Sequence, residues 1–304
     1  EALVAAGVDA LIVQDMAYCR MGLNVPLHAS TQTACSSVEQ VKFFEQVGFA
    51  RAILERNLSG AEIRDIAQQT DVEIEAFIHG AICVSHSGRC FLSRSMSERS
   101  GNRGQCSQPC RLPYDLTDGN GTIYIKGKHL LSVCDLDLSE RIGEMLDAGV
   151  NSFKIEGRLK DRVYLRNIVS HYRRLLDKHI ALRSDCRRAS VGISTITFEP
   201  NPAKSFTRGG STYLFDGKSA GVASFDTPKA LGERVGKVVR TAAERFLLDN
   251  NASLATGDGL CFIASGEAIG TNVNAVNGSW ITPNRMEGIK VGTEIFRNYD
   301  RLFA

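Results

Sequence analysis

Short apolar runs alternate with stretches of helical spacing over roughly the first 185 residues. The runs at residues 10–15, 26–30, 51–55, 73–79, 130–134 and 152–156 are brief and bounded by polar positions, as buried strands are. Between them, residues 38–47, 60–69, 139–148 and 161–178 repeat apolar positions every three or four residues, which predicts amphipathic helices. Strand alternating with helix implies βα units on a parallel sheet. Six strands leave the set two short of a closed eight-stranded barrel, so the expected fold is α/β, an incomplete TIM-like (β/α) barrel. An open six-stranded sheet also explains the count. A chain that starts inside the domain explains it together with the absence of an initial Met.

Two stretches break the alternation. Residues 80–129 form a long insertion rich in Gly, Ser and Arg, and an excursion of that length in a compact domain is usually functional or disordered. Beyond residue 185 the pattern turns to short strand-like runs at 193–198, 232–239, 259–264, 271–276 and 292–296, separated by Gly and Asn turns. That texture predicts a small all-β barrel or sandwich. The expected organisation is therefore a β/α barrel domain over 1–185 carrying the insertion at 80–129, and a β-rich domain over 186–304.

Polar residues fall at the carboxyl ends of the predicted strands: Gln14, Asp15, Gln32, Glu55, His79, Asp135, Glu156 and Arg158. In a β/α barrel that is the face where chemistry occurs. His79 and Glu156 are candidates for proton transfer, with His86 in the insertion as a possible ligand or proton donor. Arg158 suits a carboxylate or phosphate, because its planar fork matches such groups.

Of the nine cysteines, four crowd into the insertion with the spacing C-x6-C-x15-C-x3-C: Cys83, Cys90, Cys106 and Cys110. Thiolates in a polar loop suit an iron–sulfur cluster or zinc, and the irregular spacing favours the cluster over zinc knuckles. Cys134 is an alternative ligand. From Cys83 to Tyr114 the same loop holds Arg89, Arg94, Arg99, Arg103 and Arg111 against the single acid Glu98. In a chain whose formal net charge is only +2, this is a local footprint for a polyanion or for a negatively charged cluster. Arg89, Arg103, Arg111 and Gln32 are the candidate substrate-binding residues.

Composition excludes little beyond disorder and fibrous folds: 43% of residues are hydrophobic and 23% charged, near globular averages. No apolar run spans a bilayer and no export signal is present, so a cytoplasmic location is expected. There is no zinc-protease helix, nucleophile elbow, P-loop or dinucleotide fingerprint.

The stretch from Glu75 through His79, Gly80 and Cys83 to Ser87, Gly88, Cys90 and Ser93 resembles the signature of the U32 peptidase family. Residues 102–114, with Cys106, Pro109, Cys110 and Arg111, are similar to the family's continuation, and so are residues 154–158 and 224–229. The resemblance implies a β/α barrel from which the first two β/α units are absent here, followed by a small β-barrel. It also implies two kinds of activity. The family is named for collagenase-like proteolysis. Other branches resemble RNA-hydroxylating proteins that carry a four-iron cluster and use prephenate as co-substrate. The form of residues 102–114 is similar to the branch that makes 5-hydroxycytidine in large-subunit ribosomal RNA. Carried over, the resemblance makes Cys83, Cys90, Cys106 and Cys110 the cluster ligands, with a later cysteine as fourth ligand in some branches. Three readings follow: a cluster-dependent hydroxylase of ribosomal or transfer RNA, a peptidase, and a non-enzymatic RNA-binding module with structural zinc.

Overall fold

The computed structural model describes residues 1–217 and 221–304. In chain order the elements are α1 (Ala2–Ala5), β1 (Leu11–Val13), β2 (Leu27–Ala29), α2 (Val38–Gln46), β3 (Arg51–Ile53), α3 (Gly60–Gln68), β4 (Glu73–Gly80) and α4 (Leu92–Met96). They continue with β5 (Tyr114–Thr117), β6 (Ile123–Lys128), β7 (Asp135–Asp137), α5 (Ile142–Asp147), β8 (Ser152–Ile155), α6 (Arg162–Ile180) and β9 (Gly210–Ser211). The last six strands are β10 (Glu233–Ala242), β11 (Arg245–Leu248), β12 (Gly259–Ala264), β13 (Glu267–Asn277), β14 (Trp280–Pro283) and β15 (Glu294–Tyr299).

The chain divides into two compact units. One comprises residues 1–110, 135–156 and 211–222; the other comprises 111–134, 157–210 and 223–304. Residues 157–185, expected with the β/α part, therefore group with the β-rich part.

In the first unit, β1, β2, β3 and β4 pair in parallel, and β8 adds to β4 in parallel. Residues 74–80 of β4 are buried without interruption, as a strand covered on both faces requires. Helices start where the sequence caps them. Ser59 and Glu62 form a reciprocal capping box at α3, and the Ser37 hydroxyl accepts from Gln40 N–H at α2. Their apolar stripes, Val41 and Phe44 on α2 and Ile63 and Ile66 on α3, are buried.

In the second unit, β10–β11–β14–β13–β12–β15 close into an antiparallel barrel. Phe246, Phe262 and Ile295 fill its centre and are fully buried. Among the described residues no helix is long and apolar enough to cross a membrane.

Three expectations are corrected. The apolar run 130–134 is not a strand. β7 follows it and runs antiparallel to β4, with Asp137 opposite His79. Of the run only Ser132 and Val133 are buried, Leu131 is exposed, and the pairing is limited to an isolated bridge from Val133 to Ala223. The alternation at 193–198 makes no strand either; Ile193 is 92% exposed, while Ile196 and Phe198 are only half-buried. Strands β11 and β14 escaped the pattern because each is only four residues long and follows a two-residue turn.

Candidate site at the carboxyl ends of the parallel strands

The chain leaving β3 places Glu55, Arg56 and Asn57 side by side, and the start of the insertion folds down upon them. The Glu55 carboxylate is buried and receives the Ser87 N–H at Oε1 (2.7 Å), while Oε2 lies 3.2 Å from His86 Nδ1. Thr31 joins the same seam, donating to the Leu54 carbonyl at 3.3 Å and to Ser87 Oγ at 3.2 Å. Close approach is possible because residue 88 is glycine. It adopts φ +72°, and a Cβ there would stand 2.1 Å from the Gln32 carbonyl oxygen.

Beneath this seam is a cavity of about 200 Å³. Glu55, Arg56, Asn57, Cys83, His86 and Tyr213 are among its lining. The Arg56 guanidinium stacks on the Phe77 ring, 3.7 Å from its centroid, and Nη2 donates to Glu156 Oε2 at 2.9 Å. Burial pulls the Arg56 pKa below its ordinary value, against the opposing fields of Glu156 and Cys83. Arg56 Nε and Asn57 Oδ1 are buried and have no hydrogen-bond partner. An unpaired donor on a buried cation is costly unless something accepts from it. Burial, followed by the field of Cys83, raises the Tyr213 pKa. The site thus combines a buried cation, a carboxylate–imidazole pair and a thiol. That set can hold a small anion and exchange a proton with it.

The sequence-derived candidates sit as follows. Glu156 is brought to the site through Arg56, not through Arg158, which is exposed on a turn. His79 is buried, with Nδ1 3.8 Å from Asp137 Oδ1, and is not in the cavity lining. Burial alone would raise the Asp137 pKa, but its hydrogen bonds with His79 and Ser139 hold the carboxyl well below the usual range. Glu75 is engaged by Lys154 at 2.9 Å and Arg51 at 3.1 Å, so it belongs to an ion cluster on the sheet. Gln32 is exposed, and its backbone forms the floor under Gly88. Arg89 and Arg103 are exposed. Arg111 donates to Ser132 Oγ at 2.6 Å and to the Val133 carbonyl at 2.7 Å, so it pins its own loop. Arg56, Asn57 and Tyr213 were missed. Arg56 and Asn57 directly follow Glu55 after β3 and line the cavity with it.

Of the insertion cysteines, Cys83 and Cys106 are exposed and Cys90 and Cys110 half-buried. Four thiols on one polar loop are the donor chemistry that an iron–sulfur cluster takes. Two donors are already aimed at Cys106 Sγ: the Gln108 N–H at 3.3 Å and the Ser93 hydroxyl at 3.8 Å. Ser93 is itself fully buried. Among the described residues, no three His, Cys, Asp or Glu side chains are gathered closely enough to hold a metal ion. The donor set therefore fits such a group in kind, and the four side chains would have to draw together to bind it. Cys134 is half-buried and donates to the Ala223 carbonyl at 3.6 Å.

Comparison with known proteins agrees with the motifs. The chain is 44% identical over 290 residues to the 23S rRNA 5-hydroxycytidine C2501 synthase of Escherichia coli, covering 93% of this chain and 44% of that protein. It is 42% identical to the tRNA hydroxylation protein P1 of Bacillus subtilis, covering 60% of this chain and 45% of that protein. A collagenase of Porphyromonas gingivalis is 31% identical, over 59% of this chain and 47% of its own length. The chain thus spans less than half the length of each of these relatives. The model of peptidase family U32 matches residues 1–222, nearly three-quarters of the chain, and the chain belongs to that family.

Proposed function

We propose that the protein containing this chain hydroxylates RNA, ribosomal RNA in the first instance, with prephenate as co-substrate and a four-iron cluster as cofactor. The observation that carries this reading is Arg56: a buried cation with an unpartnered Nε–H, lining a small cavity beside Cys83. A cavity of about 200 Å³ suits a small dicarboxylate, and a guanidinium fork is the group that binds one. The names of the E. coli and B. subtilis relatives support the same chemistry. Cys83, Cys90, Cys106 and Cys110 would hold the cluster, which supplies electron transfer when bound. The parallel strands β1–β4 and β8, with the site at their carboxyl ends, are read as part of an incomplete TIM-like barrel.

Within the site, Arg56 orients the anion, Glu156 fixes the guanidinium and the Glu55–His86 pair handles a proton. The same pair is what a peptidase reading would rest on, as a carboxylate-oriented base for water.

The test uses the full-length protein, purified anaerobically. About four irons per chain are expected, with sulfide. RNA from a strain lacking the gene is expected to lose a hydroxylated nucleotide, restored by the wild type. Arg56→Lys keeps the charge but loses the fork, and is expected to raise the KM for prephenate about tenfold or more while the fold survives. Zinc alone, with RNA unchanged by deletion and peptide cleavage lost in Glu55→Gln, would establish the peptidase instead.

A further inference from the structure

The second unit contains a larger cavity, of about 610 Å³, that the proposed chemistry does not use. One wall is the segment Ala223–Thr227, from the motif at 224–229, and the other is the loop from Lys290 to Glu294, with Ile263 and Phe296 behind. The first wall is fixed by its own backbone. The Ser224 N–H donates to the Ser132 carbonyl at 2.8 Å, and the Phe225 carbonyl accepts from His129 N–H at 3.0 Å. The Ser224 hydroxyl donates to the carbonyl of the buried Thr227 at 2.7 Å. Held this way, the Phe225 side chain remains 45% exposed, and Val291 on the facing loop is 61% exposed. An aromatic ring kept in water on a rigid segment is a surface for a flat partner.

The charges select that partner's sign. The lining holds two acids and two cations. Asp226 is matched by Lys128 at 2.6 Å and Glu294 by Arg234 at 3.2 Å, and neither cation belongs to the lining. Lys290 has no carboxylate within ion-pair distance among the described residues, and Arg208, whose Nε donates to the Pro228 carbonyl at 2.7 Å, adds a guanidinium to the lining. With its acids neutralised, the cavity presents the Lys290 charge beside an exposed aromatic ring.

We propose that this cavity binds a nucleotide of single-stranded RNA, with its base on Phe225 and its phosphate at Lys290 and Arg208. The proposal rests on the RNA reading above and adds to it where the strand is gripped. Stacking on an aromatic side chain accepts any base and needs it unpaired, and the phosphate contact is independent of sequence. The volume is about three times that of the Arg56 cavity, enough for a whole nucleotide.

The experiment measures binding of a fluorescein-labelled oligocytidylate twelve-mer, and of the same sequence as a duplex, to the full-length protein by anisotropy over a salt series. Phe225→Ala is expected to weaken single-strand binding about tenfold. Lys290→Glu is expected to weaken it and to reduce the slope of log affinity against log salt by about one. Both side chains are exposed, so thermal unfolding should match the wild type. Photo-crosslinking a 4-thiouridine oligonucleotide should label a peptide containing Phe225 or Lys290. If the wild type binds the twelve-mer and both variants bind it equally well, this assignment is overturned and the RNA reading stands. If the wild type binds neither oligonucleotide nor ribosomal RNA, the RNA reading itself fails.

Discussion

Replacing Gly88 with alanine tests how the cysteine-bearing insertion is held against the sheet. The residue sits at φ +72°, and an alanine Cβ would stand 2.1 Å from the Gln32 carbonyl oxygen. The left-handed backbone alone costs a non-glycine residue about 1 kcal/mol. The clash adds more, because the opposing atom is backbone and cannot rotate away. To relieve it the loop must lift, and the Ser87 N–H then leaves the buried Glu55 carboxylate, which it reaches at 2.7 Å. Losing a hydrogen bond to a buried charged group costs about 2 kcal/mol. The sum is about 3 kcal/mol of local stability, roughly a hundredfold in the opening equilibrium at 1.4 kcal/mol per factor of ten. Gly104 is the internal control. It lies in the same insertion at φ +76° with nothing within 4 Å of a Cβ, so Gly104→Ala should cost only the backbone term, about 1 kcal/mol or fivefold. Trypsin reports the opening, because Arg89, Arg94, Arg99 and Arg103 all lie in the segment and cleavage tracks the open population when reclosing is fast. Gly88→Ala is expected to be cut in the insertion at least ten times faster than Gly104→Ala. Equal rates would refute the view that the Gly88–Gln32 contact and the Glu55 seam anchor the insertion.

Other outcomes follow from the same structure. Because Asp137 has a depressed pKa when folded, its contribution is complete above the unfolded value of about 3.9 and is lost as pH falls through the folded one. Chemical denaturation should therefore find the wild type more stable than Asp137→Asn by a constant amount from about pH 5 to 7, with the gap closing below about pH 4. Burial raises the Cys35 and Cys261 thiols to about 11, so in the metal-free protein iodoacetamide at mild alkaline pH should reach them last, after the exposed Cys83 and Cys106, as read by peptide mass spectrometry. Phe246 is fully buried at the centre of the antiparallel barrel, and Phe246→Ala should destabilise that barrel by about 3–5 kcal/mol, measured as a lowered urea midpoint at unchanged slope.

Much of the site could be read in one dimension because β/α architecture ties chemistry to sequence position. Once a strand is located, the residues just past its end are known, and Glu55 and Glu156 both stand there. Strand position could not tell which neighbour of Glu55 turns inward, so Arg56 was passed over although it makes the ion pair with Glu156. Position along the chain also sets His79 at a strand end, outside the lining of the Arg56 cavity. The antiparallel arrival of β7 sets Asp137 opposite His79 instead, and a pairing between residues 58 apart leaves no local signal. The arginines of the insertion show the same limit: composition counts Arg111 with the others, and only its contacts at Ser132 and Val133 show that it is spent on its own loop.

What the sequence determined by itself is whatever has a short period or a fixed spacing. That covers the strand–helix alternation, the change of texture towards a β-barrel, the clustered thiols and the family motifs, because each arises from residues a few positions apart. The tertiary structure alone decided which strand runs antiparallel, which charges neutralise one another and which polar atoms are left without partners. Those outcomes depend on contacts between distant segments, formed by burial, and burial acts on neighbours in space whatever their separation along the chain.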